Sequence, residues 1–235
     1  MIKIFFRGNR KFGYRTIKMK LVRDFSLIIN HKKVRRIMRD FELHTIIRRR
    51  KRFGTYNELS RNSKPFENLV MRKFSPKKTA MIDSGDITEL HYRNGKCYLF
   101  AVKYLGNKEI VAYDVATSAQ ANLIAKAYEK RLRKLSSDKR KNLICHTDQG
   151  GQFFSDSFKN TLSRYGVKQS MSERGNCLDN APIESFFGHM KDELDLNACQ
   201  SYAEVKPKVE KYINYYNHHR PQWGLNGKTP AECRG

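Results

Sequence analysis

The chain has 235 residues, 39% of them hydrophobic and 11% aromatic, which is enough to bury a core and too many for a disordered tail. No apolar run approaches the roughly 18–20 residues of a membrane span, and no signal-peptide pattern is present, so we expect a cytoplasmic protein. Lys and Arg number 47 against 23 Asp and Glu, and the resulting net charge of +24 predicts a polyanionic partner.

The positive charge is concentrated at the front of the chain. Residues 1–80 hold 24 Lys and Arg against 5 acidic residues, whereas residues 81–235 hold 23 against 18. This asymmetry favours a nucleic-acid-binding front third followed by a nearly balanced domain. A surface like that of ribosomal proteins, or one that is merely solubilising, is the alternative.

Two short helices are predicted within residues 14–41. Ile17, Leu21 and Phe25 recur every four residues and form one apolar stripe, and Asn30 is a good N-cap for the second helix. The second helix has an apolar face of Val34, Ile37, Met38 and Phe41, while its opposite face carries Lys32, Lys33, Arg35, Arg36 and Arg39. This arrangement suits a helix-turn-helix laid on DNA. A helical hairpin whose charges are only solvated is the alternative.

The basic run 48–52 and the polar stretch after it have the composition of a linker. We therefore expect a helix-turn-helix-like region at 1–47, a linker at 48–78 and a larger domain at 79–235.

The larger domain begins with three predicted strands. Residues 87–92 and 96–104 are rich in β-branched and aromatic residues and flank Asn94-Gly95, a strong hairpin signal, and residues 108–115 form a third strand. Helix formers fill 118–135, and the apolar stretch 142–147 should return parallel to the meander. The order predicts a mixed α/β sheet compatible with a ribonuclease H-like fold.

Three carboxylates are candidate functional groups. Asp86 lies at the start of the first strand's apolar stretch, Asp148 directly follows the 142–147 strand, and the two would converge if those strands are neighbours. Glu184 lies in a predicted helix with Pro182 in its first turn, where Asp179 or Asn180 is expected as the cap. On that helix one stripe is apolar and expected to be buried, and a second stripe is polar: Asn180, Glu184, Gly188 and Lys191.

Carboxylates from a strand, a strand end and a helix are the hard oxygen ligands that two Mg²⁺ ions need for phosphoryl transfer. The five cysteines are dispersed without a CxxC pair, which argues against a zinc ribbon. For Glu184, a favourable position near the positive end of the helix dipole is the structural alternative.

Several segments carry a family resemblance: GDITEL, HTDQGGQFFSDSF, YGVKQSMSERGNCLDNAPIESFFGHMKDEL and YINYYNHHRPQWGLNGKTPAE. From about residue 66 onward the chain resembles the orfB-type catalytic subunit of insertion-sequence-three family transposases, members of the retroviral-integrase-like superfamily. GYRTIKMKL and INHKKVRRIMRDFEL resemble the helix-turn-helix of the same proteins. The superfamily signature is two aspartates and a glutamate, and here 35 residues separate Asp148 from Glu184.

The resemblance implies a Mg²⁺-dependent DDE transposase, with Mn²⁺ as a substitute, that cleaves at the ends of the element and joins them to target DNA. Asp86, Asp148 and Glu184 would be catalytic and metal-binding, and Lys191 and Asn180 would contact DNA. It also implies a small helix-turn-helix partner protein, a homo-oligomer on DNA and a place at the bacterial nucleoid.

One departure from the family pattern involves MIDSGD. The family usually has a tryptophan three residues before the first aspartate and a threonine directly before it, whereas this chain has Asp83 and Gly85. Asp83 is therefore an alternative to Asp86 as the first metal ligand. We favour Asp86 because the ITEL sequence that follows it matches the family. A decayed DNA-binding remnant and a nuclease without strand transfer are the functional alternatives. We expect His146 to be a buried structural residue and Trp223 to pack into the core domain.

Overall fold

The computed structural model describes residues 12–45, 64–72, 81–173 and 177–234. The basic run 48–52 lies outside these ranges, as does most of the expected linker. In the described part of the linker, Leu69 donates its backbone N–H to Ser170 Oγ at 3.0 Å, and Val70 is buried against Ile82 and Leu105. Residues 64–72 therefore lie against the larger domain.

Two helices form the front of the described chain: α1 (Tyr14–Phe25) and α2 (His31–Asp40). Their shared core is Phe12, Ile17, Leu21, Val34 and Met38. Asn30 caps α2 as predicted, since its side chain accepts a hydrogen bond from Lys32 N at 2.9 Å. The five cations predicted for the outer face of α2 are all exposed.

The apolar stripes predicted for α1 and α2 each include one residue too many at the C-terminal end. Phe25 is 40% exposed and Phe41 is 54% exposed. Phe25 is the last residue of α1, and Ser26 after it turns the chain through a left-handed conformation. Phe41 follows the end of α2 and no longer keeps the helical period. Both rings therefore lie beyond the contact between the helices.

The larger domain is built on a five-stranded mixed sheet in the order β3-β2-β1-β4-β5. Its strands are β1 (Met81–Tyr92), β2 (Gly95–Tyr104), β3 (Ile110–Ala116), β4 (Leu143–Thr147) and β5 (Lys168–Met171). The β1–β2 and β2–β3 pairs are antiparallel, whereas β1–β4 and β4–β5 are parallel. The predicted meander and parallel return are confirmed. The strand β5 and the first residues of β1 are additions to the prediction.

Helices cover both faces of the sheet. They are α3 (Ala121–Arg133), α4 (Ser137–Lys141), α5 (Asp156–Arg164), α6 (Ala181–Glu193) and α7 (Tyr202–His218). One core joins α3 and α5 to the sheet, through residues such as Tyr128, Phe153 and Phe158. The other joins α6 and α7 to the opposite face, through residues such as Leu99, Phe186 and Tyr216. Within the described ranges, no helix combines the length and apolarity needed to cross a bilayer.

Candidate active site

The alternation of β1 divides its side chains between the two faces of the sheet. Ser84, Asp86 and Thr88 have the same parity and face α6, because Ser84 and Thr88 make hydrogen bonds to Asn180 and Lys191. Asp83 has the opposite parity and faces α3, where it meets Tyr128 and Arg131. The two rival aspartates are therefore on different sides of the sheet.

Asp86 lies near the two other candidate carboxylates, Asp148 and Glu184. Its Oδ1 accepts a hydrogen bond from Ile87 N at 2.7 Å. Asp86 is half-buried. Desolvation of its carboxyl and then the negative charges of Asp148 and Glu184 raise the pKa of Asp86 well above its usual range, while Ile87 N–H and Lys191 act in the opposite direction. Asp86 is thus within electrostatic reach of both other predicted carboxylates.

Asp148 follows the carboxyl end of β4, the strand parallel to β1. Its Oδ1 accepts a hydrogen bond from Gly150 N at 2.9 Å, which fixes the carboxylate at the start of the loop. Burial raises the pKa of Asp148, although the Gly150 N–H partly offsets this effect. Because β1 and β4 are parallel neighbours, Asp86 and Asp148 lie next to each other at the carboxyl end of β4, as the sequence predicted.

Glu184 is an exposed residue in the first turn of α6. Lys191, two turns further along, donates a hydrogen bond to Thr88 Oγ1 on β1. The predicted polar stripe of α6 therefore faces the part of β1 that carries Asp86.

Asn180 has a structural role that the sequence did not suggest. It stands at the N-cap position of α6, but its side chain makes no capping hydrogen bond. Instead it accepts from Ser84 Oγ at 2.6 Å and donates to Gly85 O at 3.3 Å, with only 2% of the residue exposed. Asn180 thus occupies the N-cap position that the sequence predicted, but its side chain fastens the start of α6 to β1 instead of capping the helix.

Asp179 does not cap α6 either. Its carboxylate accepts hydrogen bonds from Arg72 Nε at 2.9 Å, Asn68 Nδ2 at 3.1 Å and Glu173 N at 3.1 Å. Its carbonyl oxygen lies 3.1 Å from Nε2 of His146, a ring that is 1% exposed and also bonds Ser170. Burial lowers the pKa of His146, which agrees with the structural role expected for it.

A third attachment comes from Lys103, which the sequence analysis missed. Lys103 on β2 is 5% exposed, and its Nζ donates a 2.9 Å hydrogen bond to the carbonyl of Pro182, two residues before Glu184. The same ammonium lies 5.7 Å from the centroid of the Tyr216 ring. A lysine inside the apolar run FAVKYL, with the inward parity of Leu99 and Ala101, was the signal that could have revealed it.

The negative charges of Asp148 and Glu184 act on Asp86, but the three carboxylates do not form a closed metal cage. Across the described residues, no three His, Cys, Asp or Glu side chains come close enough together to hold a metal ion. The donor set nonetheless suits a hard divalent cation, because all three groups offer carboxylate oxygens. A cation would also offset the burial and the neighbouring negative charges that raise the pKa of Asp86.

Comparison with known proteins agrees with this architecture. Residues 77–177 and 165–230 each match a family described as "Integrase core domain", and residues 1–51 match an "HTH-like domain". A solved structure of the HTLV-2 integrase catalytic core domain in complex with magnesium is 16% identical, with a TM-score of 0.51 over 68% of this chain and 99% of that chain. This likeness confirms the ribonuclease H-like fold.

Two relatives extend over most of the chain. The putative transposase InsK for insertion sequence element IS150 of Escherichia coli is 34% identical over 99% of this chain and 80% of its own length. An uncharacterized transposase-like protein of Haemophilus influenzae is 36% identical over 88% of this chain and 93% of its own length. With its HTH-like and integrase core domains in this order, the chain belongs to the insertion-sequence-three family of DNA transposases.

Proposed function

We propose that Asp86, Asp148 and Glu184 are the catalytic carboxylates of this transposase and that together they bind Mg²⁺, for which Mn²⁺ can substitute. The observation that carries the proposal is the parallel pairing of β1 with β4 up to Gly85 and Thr147, which brings Asp86 next to Asp148, together with the polar stripe of α6 that faces β1. Burial and then the negative charges of Asp148 and Glu184 raise the pKa of Asp86. A carboxyl group that is desolvated and has two further negative charges nearby is costly to ionise without a cation. Since they do not form a ready-made cage, we propose that the side chains draw together when the ion binds.

The chemistry is phosphoryl transfer in two steps. Water attacks a phosphodiester at the end of the element and frees a 3′-OH, and this hydroxyl then attacks target DNA. Bound Mg²⁺ would supply a polarised attacking oxygen and neutralise charge on the scissile phosphate. The carboxylates orient the reacting groups, and neither step requires a covalent protein intermediate.

Lys191 is placed to contact DNA next to this centre. Its ammonium lies on the α6 stripe that faces Asp86 and is held by Thr88. A cation at this position can pair with a phosphate beside the scissile one. Because Asn180 is buried and bonded to β1, we propose that it positions α6 and that contact with DNA falls to Lys191.

The front third is proposed to bind the ends of the element. Its support is the exposed cationic face of α2: Lys32, Lys33, Arg35, Arg36 and Arg39. We keep the division into a DNA-binding region at 1–47, a linker at 48–78 and a catalytic core at 79–235. Replacing these five cations by alanine should weaken DNA binding and flatten its salt dependence, by up to about 0.9 in slope for each phosphate that the protein no longer neutralises.

Family membership supports three wider proposals. The protein would form a homo-oligomer on DNA, would work with a small helix-turn-helix partner protein from the same element, and would act at the bacterial nucleoid. Each can be tested by reconstitution, with oligomeric state measured by light scattering in the presence and absence of element-end DNA.

The decisive test is strand transfer on labelled oligonucleotides that carry the inverted repeats of the element, with Mg²⁺ or Mn²⁺. Wild type should yield joined products and Glu184→Gln none, while Glu210→Gln on α7 controls for the loss of one carboxylate elsewhere. Cleavage without joining in wild type would indicate a nuclease instead. If DNA is bound and neither step occurs, even after addition of the partner protein, the copy is an inactive remnant.

A further inference from the structure

Trp223 is the only tryptophan of the chain, and it is not packed into the core as the sequence suggested: 55% of the residue is exposed. It begins a short 3₁₀ turn, Trp223–Leu225, inside a loop closed by two 3.0 Å backbone hydrogen bonds, from Gln222 N to Lys228 O and from Gly227 N to Gln222 O. Lys108 Nζ also donates to Gly224 O at 3.0 Å. The ring is therefore held in place on an ordered loop while remaining accessible.

The front helix α1 docks beside this loop. Arg23 makes two hydrogen bonds to the Glu232 carboxylate, at 3.0 and 2.8 Å. The Arg15 guanidinium lies 5.7 Å from the Trp223 ring centroid, and Lys20 lies 5.8 Å from that of Tyr215. The helix-turn-helix region and the catalytic core thus meet at the C-terminal segment.

A cleft of about 410 Å³ lies between α1 and the loop. Met19, Val22 and Trp223 give it an apolar wall, and Lys18 and Arg23 bring positive charge to it. Its volume falls in the range of roughly 300–1,000 Å³ found for small-ligand sites. Two acidic groups lie close by, and both have cationic partners: Glu232 binds Arg23, and Asp24 lies 3.7 Å from Lys20.

An aromatic face flanked by cations is how proteins bind single-stranded nucleic acid, because the base stacks on the ring and the backbone phosphate pairs with the cation. We propose that this cleft binds one unpaired DNA base, stacked on Trp223, with its phosphate next to Lys18 and Arg15. The site would be separate from the carboxylates and would be formed jointly by the front region and the core. This inference rests on the proposed function in one respect, which is that the ligand is DNA.

The single tryptophan makes the test direct, because all tryptophan emission comes from this cleft. The full chain would be titrated in EDTA, which prevents metal-dependent chemistry, with a blunt duplex and with a duplex of equal length carrying a short unpaired overhang. We expect the overhang DNA to quench the emission and to bind about 5- to 100-fold more tightly than the blunt DNA. Trp223→Ala should remove that preference and Trp223→Phe should keep most of it, as measured by anisotropy of labelled DNA. Phe66→Ala, another partly exposed aromatic residue, is the matched control.

Equal affinity of wild type for the two DNAs would overturn the proposal, as would emission that does not change while DNA is bound. An emission change that appears only on addition of the partner protein would also overturn it and would make the cleft a protein-docking site. Glu184→Gln separates this inference from the catalytic proposal, since it should lose joining and keep the fluorescence response.

Discussion

The two aspartates of β1 stand three residues apart, yet the sheet gives them opposite surroundings. Asp83 faces α3, is fully buried, and accepts hydrogen bonds through Oδ2 from Tyr128 OH at 3.2 Å and Arg131 Nε at 3.4 Å. Asp86 faces α6, where two other carboxylates act on it. Burial raises the pKa of Asp83 too, but Arg131 and Tyr128 act in the opposite direction. For Asp86 the nearby carboxylates add to the effect of burial, and such a group calls for a cation from outside.

This contrast also accounts for the MIDSGD departure. The cation of Arg131 lies 5.8 Å from the ring centroid of Tyr104, the residue that pairs with Asp83 across β1 and β2. Asp83 therefore belongs to a separate polar cluster behind the sheet. A Cβ added at Gly85 would meet its nearest neighbour, Val102 Cγ2, at 3.6 Å, an ordinary contact, so the glycine is not required by lack of space. Asp83 and Gly85 therefore leave the carboxylates on the α6 side of the sheet unchanged.

The largest expected effect comes from Asp86→Asn. Loss of this carboxylate should lower metal-dependent cleavage by at least about 10³-fold, since an electrostatic contribution of this size is typical of groups that act on the transition state. The fold should persist, because an amide removes a buried charge that its neighbours repel. Cleavage rates on oligonucleotides, with thermal unfolding as the control for folding, measure both effects.

Asp83→Asn should change stability rather than chemistry. Arg131 would lose its counter-ion, so we expect a loss of about 1–3 kcal/mol in the free energy of unfolding; the pair is not wholly buried, because the Arg131 side chain is 14% exposed. Urea denaturation of both single variants and of Asp83→Asn/Arg131→Met gives a double-mutant cycle. Strictly additive effects would show that the ion pair contributes nothing.

Lys103→Met tests whether the attachment of α6 matters for the site. Methionine preserves the stem but removes the hydrogen bond to Pro182 O, so Glu184 should be held less accurately and the maximal cleavage rate should fall about tenfold. DNA affinity should stay unchanged, and Lys103→Arg should recover part of the rate. If Lys103→Met and Lys103→Arg lose the same amount of rate, and the same amount of thermal stability, Lys103 is a purely structural residue.

The smallest effect is a pH-dependent response to metal. Because the folded state raises the pKa of Asp86, it holds more protons than the unfolded chain between about pH 4 and that raised pKa. Metal-free stability should therefore fall as pH rises through this window. Mg²⁺ should restore it, raising Tm by a few degrees at pH 8 and less at pH 5. The same Mg²⁺ response in Asp86→Asn would contradict this assignment, whereas Asp83→Asn should retain it.

Much of this site follows from sequence. The Asn94-Gly95 signal predicts the β1–β2 hairpin, although the two turn residues are Arg93 and Asn94, and Gly95 already pairs with Tyr92 as the first residue of β2. The crossover helix makes β4 parallel to β1, which brings Asp148, just after β4, next to Asp86. Had the strand been extended back to Met81, alternation alone would have placed Asp83 on the other face. That extension is hard to predict because MIDSGD is half polar and contains glycine.

The features that escaped prediction depend on tertiary contacts. The four residues of β5, KQSM, carry no strand signal of their own and pair because β4 offers an open edge. The roles of Asn180, Asp179 and Lys103 in anchoring α6 depend on partners up to 111 residues away. Trp223 lies on a loop next to which α1 docks, and no local pattern encodes that contact.

Whether Asp86 is the metal ligand of β1 is tested most directly by Mn²⁺ binding without DNA to wild type, Asp86→Asn and Asp83→Asn. Binding is measured as the loss of the electron paramagnetic resonance signal of the free ion. We expect wild type and Asp83→Asn to bind Mn²⁺ with similar affinity and Asp86→Asn to bind it at least about tenfold more weakly. Retained binding in Asp86→Asn together with its loss in Asp83→Asn would contradict the account and move the metal to the other face of the sheet.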